Sequence, residues 1–281
     1  MRNALGYIVI TLLVIGGGVC AWFFVETDNA LAPAQWRGGE IRVGYSSEPP
    51  YAFRTADGTV TGQSPEIAKA VLAKLGVSRI RWVLMDFSQT IPELLSGHID
   101  MIANGMFITP ERASRIAFSL PYSRTAQGLL TRRGNPKGLH AYADVAARSD
   151  VVAAVLAGSI EQQTLLRLGM SPARLFVVPE PADGLAAVRQ GRADCLALSA
   201  PTVAWMADNA PEEVEAATPF RGPGDTLAVG RSAFGFRRED VHLRRAVDQA
   251  LLGYIGTPEQ LRRVQPFGFG PPSLPEWRPA P

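Results

Sequence analysis

The stretch that decides the fold is Ile91–Tyr122, IPELLSGHIDMIANGMFITPERASRIAFSLPY. Ile91, Leu94 and Leu95 share one helical face, and Gly97 just beyond them supplies the left-handed residue that ends a helix. Asp100 then opens a short apolar strand, Met101 to Ala103. Thr109 stands where an N-cap belongs, with Pro110 at the first helical position and Glu111 in the first turn. The loop Asn104 to Ile108 is therefore predicted to join a strand's carboxyl end to a helix start, where open α/β sheets collect ligands.

Working outward, Glu40 to Tyr45 alternates as a strand, Ser64-Pro65-Glu66 is predicted to cap a helix carrying Ile67, Val71 and Leu75 up to Gly76, and Arg79 to Leu84 returns as a strand. The unit Leu94 to Ile102 is echoed by Ala187 to Leu196, a helix-Gly-x-x-Asp-strand pattern in each half of the chain, with Asp100 and Asp194 as framework carboxylates. Two similar α/β lobes are implied. Gln127 to Arg132 and Thr226 to Phe236 flank the second copy and are the expected crossings. Lobe I then covers 40–127 and returns over 234–270, ending with a helix from Val241 to Ile255, while lobe II covers 128–233. The tail 271–281, with five prolines, is expected to be irregular.

At 281 residues, 47% hydrophobic and 19% charged, the chain is able to bury one or two ordinary cores, and a net charge of +2 gives no field for nucleic acid. Cys20 and Cys195 are the two cysteines; Cys20 lies in the N-terminal apolar run, so an intradomain disulfide is excluded, and three scattered histidines predict neither metal nor cofactor. Arg2, the uncharged run Asn3 to Val25 and the acidic Glu26 and Asp28 orient the remainder outward. Residues 1–39 are read as a signal peptide or a retained anchor plus linker, with tethering by residues 4–25 the alternative to cleavage.

Thr109-Pro110-Glu111-Arg112 followed by Phe118-Ser119 and Pro121-Tyr122 resembles the extracellular solute-binding proteins of ABC importers, family 3, over roughly Glu40 to Phe269. Gly62 to Ala68, Gly134 to Leu139 and Pro266-Phe267-Gly268-Phe269 are similar to the ectoine and hydroxyectoine binders of that class. The resemblance implies a periplasmic-binding-protein-like fold, two α/β lobes joined by two crossing strands with a ligand cleft between them. It also implies capture of a small zwitterion at the outer face of the cytoplasmic membrane, a permease as partner, a monomer, and no catalysis.

A zwitterion needs a planar donor fork for its carboxylate, an acceptor for its cationic end, and apolar walls that exclude competing water. Arg112 suits the first task, because guanidinium grips carboxylate bidentately. The N–H groups at the helix start after Ala157-Gly158-Ser159-Ile160-Glu161, with Ser159, are expected to face Arg112 across the cleft. By the resemblance, Glu48 faces the cation, while Tyr51, Phe87 and Phe107 match an aromatic wall that holds delocalised charge. Amino-acid binders of the class commonly carry an aspartate where this chain has Ser199, which argues against a primary α-amine. Trp205 is read as core or lobe surface. A polar amino acid is the runner-up ligand, and a dehydratase-like enzyme acting on a cyclic carboxylate, with Glu48 as its acid or base, is the alternative from another class.

Overall fold

The computed structural model describes residues 39–222 and 229–275. The run Asn3 to Val25, and with it the reading of residues 4–25 as an anchor, lies outside the described residues. Among those described, no helix is long and apolar enough to cross a membrane.

In chain order the strands are β1 (Glu40–Tyr45), β2 (Phe53–Arg54), β3 (Val60–Thr61), β4 (Arg79–Leu84), β5 (Met101–Ile102), β6 (Ala117–Phe118), β7 (Ser123–Arg132), β8 (Ala153–Leu156), β9 (Leu175–Val178), β10 (Cys195–Ser199), β11 (Val214–Ala216), β12 (Val229–Ser232) and β13 (Gly235–Phe236). The helices are α1 (Gln63–Lys74), α2 (Thr90–Leu95), α3 (Pro110–Ala113), α4 (Tyr142–Ala147), α5 (Ile160–Arg167), α6 (Pro181–Arg189), α7 (Ala200–Asn209), α8 (Val241–Leu252) and α9 (Pro258–Val264). One mixed sheet runs β4-β1-β5-β13-β6, and another runs β11-β7-β10-β8-β9.

Each sheet is the floor of a lobe. In the first, Ile67 and Val71 of α1 pack with Ile41 and Val43 of β1, and Phe234, Tyr254 and Phe269 close the same core. The helix begins one residue before the expected cap: Gly62 is the N-cap, and Ser64 lies inside the first turn with its Oγ 2.7 Å from the Tyr122 hydroxyl. Its hydroxyl is used on a buried tyrosine, so it does not cap. In the second lobe, strand alternation builds two cores from one sheet. Ala153, Val155, Cys195 and Ala197 face Tyr142, Val145 and Leu165, while Ala154, Leu156, Leu196 and Leu198 face Ala187, Val188 and Val203. Cys195 is a buried free thiol in the first of these.

The echoed aspartates perform the same task in each lobe. Asp100 Oδ2 accepts the Arg42 N–H at 3.1 Å, and Asp194 Oδ2 accepts the Val152 N–H at 2.9 Å, each tying the head of one strand to its parallel neighbour. Asp100 also pairs with the side chains of Arg42 at 2.7 Å and Arg237 at 3.2 Å.

The lobes are joined through β7, which is ten residues long. Its first part, Ser123 to Ala126, pairs antiparallel with β12, whereas Gln127 to Arg132 pairs with β10 and β11 inside the second sheet. The crossing ladder therefore lies a few residues earlier in β7 than Gln127–Arg132, since alternation tells a strand's faces but not its partner. On the return side the pairing residues are Val229–Ser232, and the expected residues 226–228 lie outside the described residues.

Burial alone pushes the Asp100 pKa up, but hydrogen bonds from Arg42 and Arg237 more than offset that and hold it below the usual carboxylate range. Replacing Asp100 with Ala removes the acceptor of the Arg42 N–H and side chain and one of the two carboxylates on Arg237, the other being Asp240 at 2.8 Å, and is expected to lower unfolding free energy by about 2 kcal/mol, as lost charge-assisted hydrogen bonds do. Urea denaturation of both proteins measures it.

Candidate functional site

The loop read first in the sequence forms one wall of a cavity between the lobes. Thr109 caps α3 as expected, its Oγ1 accepting the Arg112 N–H at 3.2 Å, with Pro110 at the first position. This short turn aims Arg112 inward. Its Nη1 donates to the Phe107 carbonyl at 2.9 Å, its Nη2 donates to the Gly158 carbonyl of the opposite lobe at 3.0 Å, and its Cζ lies 5.1 Å from the centre of the Phe87 ring. The guanidinium is thus fixed by one carbonyl from each side and by an aromatic face.

Two glycines seat the aromatic wall. A Cβ on Gly105 would stand 2.4 Å from Tyr51 Cδ1, and one on Gly230 of β12 would stand 2.2 Å from Phe107 Cδ2, so both rings lie directly on backbone. Tyr51 packs edge-on to Phe107 at 6.4 Å and to Phe269 at 5.2 Å, and its hydroxyl shares a hydrogen bond of 2.7 Å with Thr125 Oγ1 of β7.

Glu48 follows β1 and is reached from the other lobe. Ser199 Oγ donates to Thr202 Oγ1 at 3.3 Å, and Thr202 Oγ1 donates to Glu48 Oε1 at 2.9 Å, a hydroxyl relay across the gap. Ser159 caps α5, its Oγ accepting the Gln162 N–H at 3.1 Å. The helix start is thus less open than expected, because the Gln162 N–H is taken by Ser159 Oγ and the Gly158 N–H by Gln162 Oε1 at 2.9 Å.

Glu48, Tyr51, Phe87, Phe107, Arg112, Ser159 and Ser199 all line this one cavity, together with Asn104 and Glu161. From sequence, Glu48 is the sole acid assigned to the site and Glu161 has no role. The structure corrects that: Glu161 is 4% exposed, beside Glu48 at 8% and Arg112 at 7%. Thr202 and Asn104 also carry no role from sequence; Asn104 Nδ2 donates to Ser46 Oγ at 3.2 Å while its buried Oδ1 has no partner among the described residues. Trp205 lies outside this cavity, stacked at a tilt 5.7 Å from Phe53 in a second, wider depression of about 700 Å3.

Burial dominates the electrostatics. It pushes Glu48 up to about 7 against the Thr202 hydroxyl and Arg112, and pushes Glu161 up to about 7, with Glu48 adding to the rise. Burial also lowers Arg112 to about 10, opposed by Glu161, Glu111 and Glu48. The cavity holds about 30 Å3, room for little more than a water, and the lobes are further tied by Gln163 Nε2 donating to Glu111 Oε2 at 2.8 Å. Any larger solute enters only when the walls part.

The fold recurs in known proteins. The family described as bacterial extracellular solute-binding proteins, family 3, matches residues 41–259. This chain belongs to that family. Its members are transport proteins that bind small solutes outside the cytoplasmic membrane, in the periplasm of bacteria, and work with ABC permease subunits. A similar solute-binding protein is a probable amino-acid ABC transporter periplasmic-binding protein of Sinorhizobium fredii, 35% identical over 240 residues, 84% of this chain and 79% of that one. Among solved structures, EhuB in complex with hydroxyectoine superposes with a TM-score of 0.77 at 30% identity, covering 83% of this chain and 89% of its own. An ancestral amino-acid-binding protein described as a precursor of cyclohexadienyl dehydratase superposes with a TM-score of 0.70 at 25% identity, covering 82% and 95%. The fold expected from the sequence, two α/β lobes of the periplasmic-binding-protein type, is the fold of these solute-binding proteins.

The buried acids give this solute-binding protein a pH signature. Both carboxyls have folded pKa values above their unfolded ones, so the folded chain holds more protons than the unfolded chain between about 4.5 and about 7. Their contribution to stability is complete below that window and is lost as pH rises through it. The melting temperature without solute is expected to fall by several degrees across that window, and the double variant E48Q/E161Q to flatten the fall; scanning fluorimetry against pH measures both.

Proposed function

We propose that this protein is the substrate-binding component of an ABC importer and that its solute is ectoine or hydroxyectoine. The observation that carries the reading is the presence, in one cavity between the lobes, of a buried guanidinium and a buried carboxylate beside an aromatic wall. Arg112 grips the carboxylate of the solute with help from the α5 start at Ser159. Glu48, charged and oriented by Thr202 and Ser199, faces the delocalised cation, and Tyr51, Phe87 and Phe107 cover the ring. Opening lets the solute replace the Gly158 carbonyl on Arg112, and the closed form is what the permease meets. The likeness to EhuB supports the same solute class.

A polar amino acid is the second reading, favoured by the amino-acid-binding relative. Against it stands Ser199, whose hydroxyl is directed to Thr202 and cannot neutralise a primary ammonium group. A dehydratase-like enzyme would draw on Glu48 or Glu161 as acid, and formation of product from cyclic carboxylates would mark it. We further propose a monomer divided at residues 127/128 and 233/234, exported and either released or held by residues 4–25.

Thermal-shift screening of the full chain against ectoines, betaines and amino acids tests this. At a hundredfold excess over Kd a bound solute adds about 2.7 kcal/mol, which is several degrees in a chain of this size. Ectoine and hydroxyectoine are expected to give that shift and glycine none. Arg112→Lys, which keeps charge but loses the fork, is expected to weaken ectoine by about tenfold or more. A shift with amino acids alone refutes the ectoine assignment.

A further inference from the structure

We propose that Glu161 is a second solute-reading group, one that joins the loaded site as the protonated acid and donates its hydrogen to the carboxylate of the solute beside Arg112. The inference rests on the zwitterion reading above and deepens it.

The argument begins with a charge count. The cavity is lined by one guanidinium, Arg112, and two carboxyl groups, Glu48 and Glu161, all nearly inaccessible to water. A zwitterion adds no net charge. With every group ionised, the closed complex buries one uncompensated negative charge, which costs several kcal/mol, and buried acids respond by taking up a proton instead.

Geometry decides which acid takes it. Glu48 accepts the Thr202 hydroxyl at 2.9 Å, so its oxygen is already committed to an acceptor role, and it stands where the cation is read. Glu161 sits in the first turn of α5, three residues past Gly158, whose carbonyl receives Arg112 Nη2. It lines the cavity there, at the helix start that a solute carboxylate would approach. Two carboxyls that line one cavity with a single guanidinium repel each other's charge and share a proton, as coupled acids do. Among the described residues the other charged or titratable groups that act here are Arg112 and Glu48, with Glu111 acting on Arg112 and Tyr51 and Tyr142 feeling Glu161.

The proton balance fixes the pH dependence. Both acids titrate at about 7 before binding. On loading, Glu161 binds a proton while Glu48 releases its share to face the cation. Near neutrality the two exchanges cancel, and the proton passes in effect from Glu48 to Glu161. Above about pH 8, Glu161 must draw a whole proton from the buffer, so Kd rises about tenfold per pH unit; below about pH 6, Glu48 must surrender one, and Kd rises again.

The test is isothermal titration of the full chain with ectoine, whose carboxylate and amidinium stay ionised, from about pH 5.5 to about pH 9. The expected profile is tightest near neutrality. At about pH 8.5, heats compared between phosphate and Tris should show close to one proton taken up per ectoine, a measurement on the unaltered protein. E161Q, whose amide donates at every pH, should lose the alkaline limb and keep the acid one. Ectoine binding without proton uptake at alkaline pH, or an alkaline limb that survives in E161Q, overturns the role of Glu161 and leaves the solute assignment standing. No ectoine heat at any pH overturns both.

Discussion

Everything at the site follows from placing the Arg112 guanidinium where water hardly reaches. A buried cation needs hydrogen-bond acceptors, a counter-charge or both. Here the two carbonyls come from opposite lobes, Phe107 and Gly158, so satisfying the arginine already draws the lobes together. The counter-charges, Glu48 and Glu161, are placed around it without a direct ion pair among the described residues. A group held this way is attracted by every acid nearby yet exhausted by none. That leaves it able to receive a carboxylate from outside, at low reorganisation cost.

Much of this was legible in the sequence because local rules suffice for it. Thr109-Pro110 is a helix start by its chemistry alone, and once capped it fixes the direction of Arg112. The boundaries of β1 and β4 follow from alternation, and the glycine-x-x-aspartate echo identifies Asp100 and Asp194 before any coordinate does. The resemblance carried Glu48 and the aromatic wall to the same cavity.

What escaped has a common cause, which is that burial is not written in a residue's type. Glu161 in the first turn of a helix reads as an ordinary acid favoured by the macrodipole, and only the opposite lobe turns it into a buried one. Thr202 and Asn104 look like polar helix and loop residues until Glu48 and Ser46 arrive from sequence-distant strands. Ser64 failed as a cap for the same reason: Tyr122, remote in sequence, engages its hydroxyl. In β7 the pattern gave the faces of the strand, while its change of partner at Gln127 depends on where two sheets end.

That change of partner also governs how the molecule deforms. A single unbroken strand belongs to the second sheet along one half and to the β12 ladder along the other, so the two halves cannot slip past each other without rupturing backbone hydrogen bonds. Flexing across the ladder is the soft coordinate that remains. Thr125, within that ladder, holds the Tyr51 hydroxyl. Tyr51 is thereby tied to the crossing ladder, whereas Arg112 bonds the Gly158 carbonyl of the opposite lobe outside it. Were the lobes to part, Tyr51 would stay with the ladder while the Arg112–Gly158 bond would break.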